Sequence, residues 1–303
     1  MAHVAHLRYV ITFVLACLSA ASAWPAKAQA SEKLPVVATF SILADFARNV
    51  GGERIKVTEL VGPNGDTHVY QPKPADAKEL GAARLILVNG LGLEGWIDRL
   101  IRASGAKAPV VVTTNGIIAQ QMREEGRIGP DPHAWQSIAN AKIYVVNIRD
   151  ALIAVDPGGA PVYLANADDY LGKLDALDKQ VSAEIAAIPP GRRQIITTHD
   201  AFGYFGTAYG FRFVAPEGIS TETEASARDV AKIIRQIKAQ KIPAVFLENV
   251  TDPRLVQTIA AESGAKIGGT LYSDALSAPD GPAGTYIEMM RNNIRELAAA
   301  LKN

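Results

Sequence analysis

The segment APVYLANADDYLGKLDALDKQVSAEIAAIPPG (residues 160–191) decides how the chain is built. Leu164, Tyr170, Leu174, Leu177, Val181 and Ile185 return at close to the 3.6-residue period of a helix, so one apolar stripe runs along it. Pro189-Pro190-Gly191 ends the pattern abruptly, because proline offers no amide to a helix and its ring collides with the preceding turn. A helix of roughly 25 residues is about 38 Å long at 1.5 Å per residue, which makes it a stiff strut rather than a flexible hinge.

On both sides of the strut, short β-branched runs alternate with amphipathic segments, the pattern of α/β folding around mostly parallel sheets flanked by helices. Before it, strands are expected at 36–40, 55–61, 84–88 and 110–113, and helices near 44–49, 75–82, 94–103 and 138–154. After it, strands are expected at 194–198, 212–215, 244–247 and 266–270, and helices near 225–239, 255–262 and 287–301. A chain of 303 residues exceeds what one core usually organises, so two lobes are expected: 31–159 and 190–303, linked by 160–189.

Residues 1–30 read as a cleaved secretory signal: Arg8, then the apolar run 9–23, then the small-residue triplet Ala28-Gln29-Ala30. The expected location is the periplasm, with cleavage after Ala30. A competing reading takes Val14-Leu15-Ala16-Cys17 as a lipoprotein box with Cys17 carrying lipid, although the apolar run before it is short. A membrane span needs about 20 apolar residues, and nothing later in the chain offers them. Removal of the signal leaves 29 Lys and Arg against 31 Asp and Glu, without the basic footprint of a nucleic-acid binder. Cys17 is the only cysteine and leaves with the signal, so neither a disulfide nor a thiolate ligand is available to the exported domain.

Of five histidines, His3 and His6 lie in the signal, and His68, His133 and His199 remain. They stand 65 and 66 residues apart, with Asp274 a further 75 residues on, which excludes a local zinc-finger or His-x-x-x-His site. On the expected elements, all four follow strand C-termini, two in each lobe. That edge of an open α/β sheet is where ligands bind, which places a shared site in the cleft between the lobes.

The motifs GDTHVYQPKP (65–74), NGLGLEGW (89–96), DPHAW (131–135), THDAFGYF (198–205) and LYSDAL (271–276) resemble those of zinc- and manganese-binding solute-binding proteins of ABC importers, in order along the whole mature chain. The resemblance implies two Rossmann-like lobes joined by one long helix, with a metal between them. It also implies hand-over to a permease in the inner membrane with its cytoplasmic ATPase; a periplasmic metallochaperone is a further candidate partner, and a monomer is expected.

Each residue has a blander alternative. A single histidine at a strand end is more often a structural hydrogen-bonding group, and Asp274 could cap a helix before Leu276. The three histidines gain weight because every one of them falls in a motif. Glu248, which follows an apolar run, is expected beside the site as a supporting or lobe-closing group. Trp135, Phe202 and Tyr204 are expected to pack around it. Gly90, Gly92 and Gly95 form a GxGxxG pattern, but the acid expected about 20 residues on is replaced by Thr113-Thr114-Asn115, so nucleotide binding is not expected.

Three imidazoles and one carboxylate suit one zinc ion, which prefers four tetrahedral donors, whereas manganese favours more oxygen-rich, higher-coordinate sites. In the resembled family, manganese-specific members generally carry Glu where this chain has His199. Many zinc members carry a His-rich loop before the second histidine, whereas 117–132 holds none, so this loop reads as a short charged lid. A zinc hydrolase is the alternative of a different class, since it too uses three protein ligands, with a water in the open position. Asp274 in the fourth position argues for a closed, non-catalytic site, and the chain lacks HExxH, GxSxG and P-loop motifs. Imidazoles bind metal when deprotonated, so affinity is expected to decline below about pH 6.5.

Overall fold

The computed structural model describes residues 32–124, 127–218, 220–222 and 225–302, so the expected signal with Cys17 lies outside the described residues. The first sheet comes from β1 (Leu34–Phe40), β2 (Ile55–Val61), β3 (Leu85–Val88) and β4 (Val110–Val112), with α1 (Ser41–Gly51), α2 (Pro74–Ala82) and α3 (Ile97–Ser104) between them. All its pairs are parallel, in the order β2-β1-β3-β4. The unbroken apolar run of β3 is buried along its full length, as a parallel strand covered on both faces requires.

The chain then forms a small antiparallel hairpin of β5 (Gln121–Glu124) and β6 (Arg127–Pro130), followed by α4 (Ile138–Val155) and the strut α5 (Ala160–Ala186). The second sheet uses β7 (Gln194–Ile196), β8 (Arg212–Val214), β9 (Ala244–Glu248) and β10 (Lys266–Leu271), with α6 (Gly203–Tyr209), α7 (Ala227–Gln240) and α8 (Pro253–Ser263) between, and α9 (Tyr286–Leu301) last. It too is parallel, in the order β10-β9-β7-β8. Counted within each lobe, both sheets have the strand order 2-1-3-4. The crossover direction therefore reverses beside β1 and β3 in one lobe and beside β7 and β9 in the other, opening a crevice at the strands' C-terminal ends.

The strut's 27 residues span about 40 Å, and Tyr163, Ala167, Tyr170, Leu174, Leu177, Val181 and Ile185 form its buried stripe. Leu164, expected in that stripe, is 44% exposed, because Tyr163 turns inward in its place and donates to Asp156 Oδ2 at 2.6 Å. At the far end the Arg193 guanidinium donates to Ile185 O and Ile188 O, closing carbonyls that a helix C-terminus leaves open. The stripe packs against α1, α4 and α9. One continuous apolar core joins the first lobe, the strut and α9 to Ile195, Phe205, Phe246 and Leu271 of the second lobe, with a satellite core of Ile196, Ile233, Ile237, Val245 and Ile259 under α7 and α8. Among the described residues no helix is long and apolar enough to cross a membrane.

Three local expectations are corrected. The helix expected from Glu94 begins at Ile97, because Glu94 is drawn into the preceding glycine loop. Within the charged loop 117–132, residues 121–124 and 127–130 pair as the β5–β6 hairpin, which the sequence reading did not foresee, with Glu124 opposite Arg127 in its register. Helix α6 was not foreseen: Gly203 and Gly206 give it poor intrinsic propensity, and it forms by burying Tyr204 and Phe205.

Candidate metal centre

The four predicted residues meet. One donor atom from each of His68, His133, His199 and Asp274 lies within 4.8 Å of all the others, and no second such group is present among the described residues. All four are buried, and His133, His199 and Asp274 are fully so. His68, His199 and Asp274 follow the sheet strands β2, β7 and β10, as expected. His133 follows the hairpin strand β6 and not a sheet strand, because the hairpin intervenes after β4.

The distances describe a cage. His68 Nε2 stands 3.2 Å from His133 Nε2 and 3.2 Å from Asp274 Oδ2; His199 Nε2 stands 3.1 Å and His133 Nε2 3.7 Å from that same oxygen. Four donors about 2.0–2.2 Å from a common centre at tetrahedral angles would stand about 3.3–3.6 Å apart, so the spacing fits one small divalent ion. All three histidines present Nε2 inward.

Their outer sides explain how they are held. Asp131 Oδ1 accepts from His133 N at 2.9 Å and stands 2.8 Å from His133 Nδ1. Glu248 Oε1 accepts from Thr198 N at 2.7 Å and His199 N at 2.9 Å, while its Oε2 lies 2.7 Å from His199 Nδ1 at angles short of a hydrogen bond. A carboxylate behind an imidazole fixes the tautomer that presents Nε2 and raises its basicity. Glu248 ends β9 and His199 follows β7, so this pair occupies the crevice where the second sheet's connections diverge. Asp66 Oδ1 accepts from His68 N at 2.9 Å, and Trp96 Nε1 donates to Thr67 O at 2.8 Å, which fixes the loop after β2. The role of Asp131 was missed in the sequence, although an acid two residues before a histidine is a readable signal for it.

The electrostatics favour cations. Burial, the largest single influence on His133, opposes its charge, but Asp274 and Asp131 outweigh burial and lift its pKa to about 9. His199 is likewise pushed well above the usual imidazole value, burial being outweighed by Glu248 and Asp274. Asp274 is held well below the usual carboxylate range, because His199 and His133 overcome the cost of burying it. Two positive charges, carried by two protons or by one divalent ion, offset most of the negative charge of Asp131, Glu248 and Asp274 around the cage. Asp274 Oδ1, Asp131 Oδ2 and the hydroxyls of Thr67, Thr198 and Ser273 are buried without hydrogen-bond partners around the cage.

The surrounding aromatics divide. The Trp135 ring packs 5.4 Å from that of His133, and Tyr204 OH donates to Asp131 O at 3.0 Å, whereas Phe202 stacks on Phe213 at 4.9 Å. The GxGxxG loop closes on the chain's own acid: Glu94 accepts from Asn89 N at 2.6 Å, Gly90 N at 3.1 Å and Thr39 Oγ1 at 2.6 Å. Gly90 and Gly92 take the positive φ values that this wrap requires, 83° and 88°. Two of the backbone donors that would cradle a phosphate, Asn89 N and Gly90 N, are thus already engaged. Asn89 Nδ2 in turn donates to Pro132 O at 3.0 Å, beside His133.

Paired parallel lobes braced by one helix, with a closed His3-Asp cage in the crevice between them, define a metal-binding solute receptor. The chain belongs to the family described as zinc-uptake complex component A, periplasmic, whose model matches residues 36–300. It is 36% identical over 270 residues to the manganese-binding lipoprotein MntA of Halalkalibacterium halodurans, covering 89% of both chains. It is also 36% identical to the iron-binding protein YfeA of Yersinia pestis, over 95% of this chain and 93% of that one. Among solved structures, the periplasmic zinc binding protein TroA from Treponema pallidum superposes with a TM-score of 0.85 at 32% identity, covering 90% of this chain and all of that one. The manganese-bound periplasmic metal binding protein from Candidatus Liberibacter asiaticus gives 0.79 at 33% identity, covering 88% of this chain and 98% of that one. The family consists of substrate-binding proteins of ABC transporters, which work with a membrane permease and its ATPase. They are not enzymes, which removes the hydrolase alternative.

Proposed function

We propose that the protein captures one zinc ion in the periplasm through His68, His133, His199 and Asp274, and delivers it to an inner-membrane ABC permease for import. The observation that carries this reading is the cage: four buried donors from four distant segments, all within 4.8 Å of one another, with the three Nε2 atoms 3.1–3.7 Å from Asp274 Oδ2. Three imidazoles with one carboxylate are zinc's preferred kind of set. The protein acts after cleavage behind Ala30, as a monomer, and receives its metal free or from a metallochaperone. Metal analysis and competitive titration of the purified protein test the reading. One equivalent of zinc is expected, with binding at least about tenfold weaker in His199→Ala and in Asp274→Ala; unaltered affinity in either variant contradicts it.

Manganese is the second reading, and one atom favours it. Asp274 Oδ1 is buried without a partner, so the carboxylate can close on a larger ion through both oxygens and give it a fifth donor. The names of relatives such as MntA support the same choice. Titration with both metals decides between them: zinc preferred by a four-donor site, manganese by an expanded one.

A further inference from the structure

Asp274 belongs to the second lobe by sequence, but its segment is held largely from the first. Ser273 O, immediately before it, accepts from Trp135 Nε1 at 2.8 Å and Gln136 Nε2 at 2.7 Å, both side chains of the turn that carries His133. Leu276 O accepts from Asn64 N at 2.9 Å, and Leu276 N donates to Ser41 Oγ at 3.0 Å. On the side of the second sheet the bonds come from Asn249: its N donates to Leu271 O at 3.2 Å, Ser273 N donates to its Oδ1 at 3.3 Å, and its Nδ2 donates to Ala275 O at 3.1 Å and to Asn64 Oδ1 at 3.2 Å. Asn293 of α9 clamps Tyr272 through both its amide atoms. That helix is itself tied to the first lobe, where Tyr286 N donates to Asp45 of α1 at 3.0 Å and Tyr286 OH to Trp135 O at 2.7 Å.

His199 is anchored the other way. Its amide and that of Thr198 bond to Glu248 at the end of β9, Glu217 N donates to Thr198 O at 3.2 Å, and Asp200 N donates to Gly218 O at 2.9 Å. From this side Tyr204 OH donates to Asp131 O and accepts from Gln120 N, and Thr221 Oγ1 donates to Asp66 Oδ2, but none of these three bonds is made by residues 198–200, whereas four grip the Asp274 segment itself.

We infer that Asp274 moves with the first lobe, positioned there by Trp135 and Gln136, so that opening the cleft parts His199 alone from the other three donors. This rests on the four-donor reading of the site. The Asp274 segment takes four hydrogen bonds from the first lobe, whereas the His199 segment takes its own from the second sheet, so the seam is placed between the Asp274 segment and the second sheet. His68, His133 and Asp274 then persist as a three-donor half-site, and release of the metal requires the second sheet to withdraw His199. Gln136 and Trp135 are positioning residues in this scheme, because they touch the backbone before Asp274 and not the metal.

Spin labels separate the alternatives. Asp280→Cys, in the loop after Asp274, is paired with Arg99→Cys on α3 or with Lys238→Cys on α7, all three positions being exposed. Chelation of the metal is expected to shift the 280–238 distance by roughly 2 Å or more and to leave 280–99 unchanged. A shift in 280–99, or in neither pair, overturns the inference. Zinc titration of the same samples keeps the two questions apart, since failure to bind one equivalent strikes the reading of the site and not the split. Gln136→Met preserves side-chain length and removes the donor; it is expected to speed metal dissociation about 10–100-fold while lowering the metal-free melting temperature by only a few degrees, the loss of about one hydrogen bond. Unchanged dissociation refutes the positioning role.

Discussion

Metal uptake should expel about two protons at neutral pH. In the metal-free cage His133 titrates at about 9, and His199 also lies well above the ordinary imidazole value. At pH 7 a group with that pKa is about 99% protonated, and both imidazoles must lose a proton before Nε2 can bind a metal. Protons therefore compete with metal, so affinity rises with pH and levels off only as the pH passes about 9 for His133. Each proton released steepens the rise by up to about tenfold per pH unit, or about 1.4 kcal/mol, so His133 supplies close to that slope well below pH 9 and His199 adds to it. The expectation from sequence alone, a decline below about 6.5, is moved upward by the carboxylates of Asp274, Asp131 and Glu248. Calorimetric titration in two buffers of different ionisation enthalpy counts the protons, and chelator competition at three pH values gives the slope. Fewer than one proton released at pH 7.5, or a flat affinity from pH 6.5 to 8.5, refutes the reasoning.

The same ion pairs give the metal-free protein the opposite dependence. Histidines with raised folded-state values stabilise fully below about 6.5 and lose that contribution as pH rises through about 9, so metal-free melting temperature should fall between pH 7 and 9.5 while the loaded form holds. Asp131→Asn and Glu248→Gln keep shape but remove the charge behind His133 and His199, and each should weaken metal binding about 10–100-fold in titration. Gly203→Ala should weaken it too, because a Cβ there would stand 2.7 Å from Asp131 Oδ2 and press on the carboxylate that holds His133; an unaltered affinity would show that the contact relaxes freely. On the strut, Leu177→Ala should cost about 2–5 kcal/mol in denaturant unfolding, whereas Leu164→Ala, on the exposed side, should stay within about 0.5 kcal/mol.

The parts of the fold that were legible in the sequence are those with strong periodic patterns. The strut announces itself through its stripe and its terminal prolines, and the eight sheet strands through short β-branched runs. The four cage residues were legible for a different reason: outside residues 1–30 only three histidines occur, each in a recognisable motif. What escaped depends on partners far away in the chain. The hairpin at 121–130 is too charged and short to read as strand, and α6 exists through tertiary burial against its own propensity. Leu164 and Tyr163 both fit a helical period, and only the Asp156 contact decides which turns inward. The grip of Gln136 on Ser273 joins residues 137 positions apart and leaves no local trace.

Anomalous diffraction from crystals of the metal-loaded protein, recorded on both sides of the zinc and manganese absorption edges, tests the central claim most directly. The account predicts one peak per chain, about 2.0–2.2 Å from Nε2 of His68, His133 and His199 and from Oδ2 of Asp274, vanishing below the zinc edge. A peak at the manganese edge with both Asp274 oxygens coordinated would transfer the site to manganese. A metal bound elsewhere, or held without any one of these four side chains, would contradict the account.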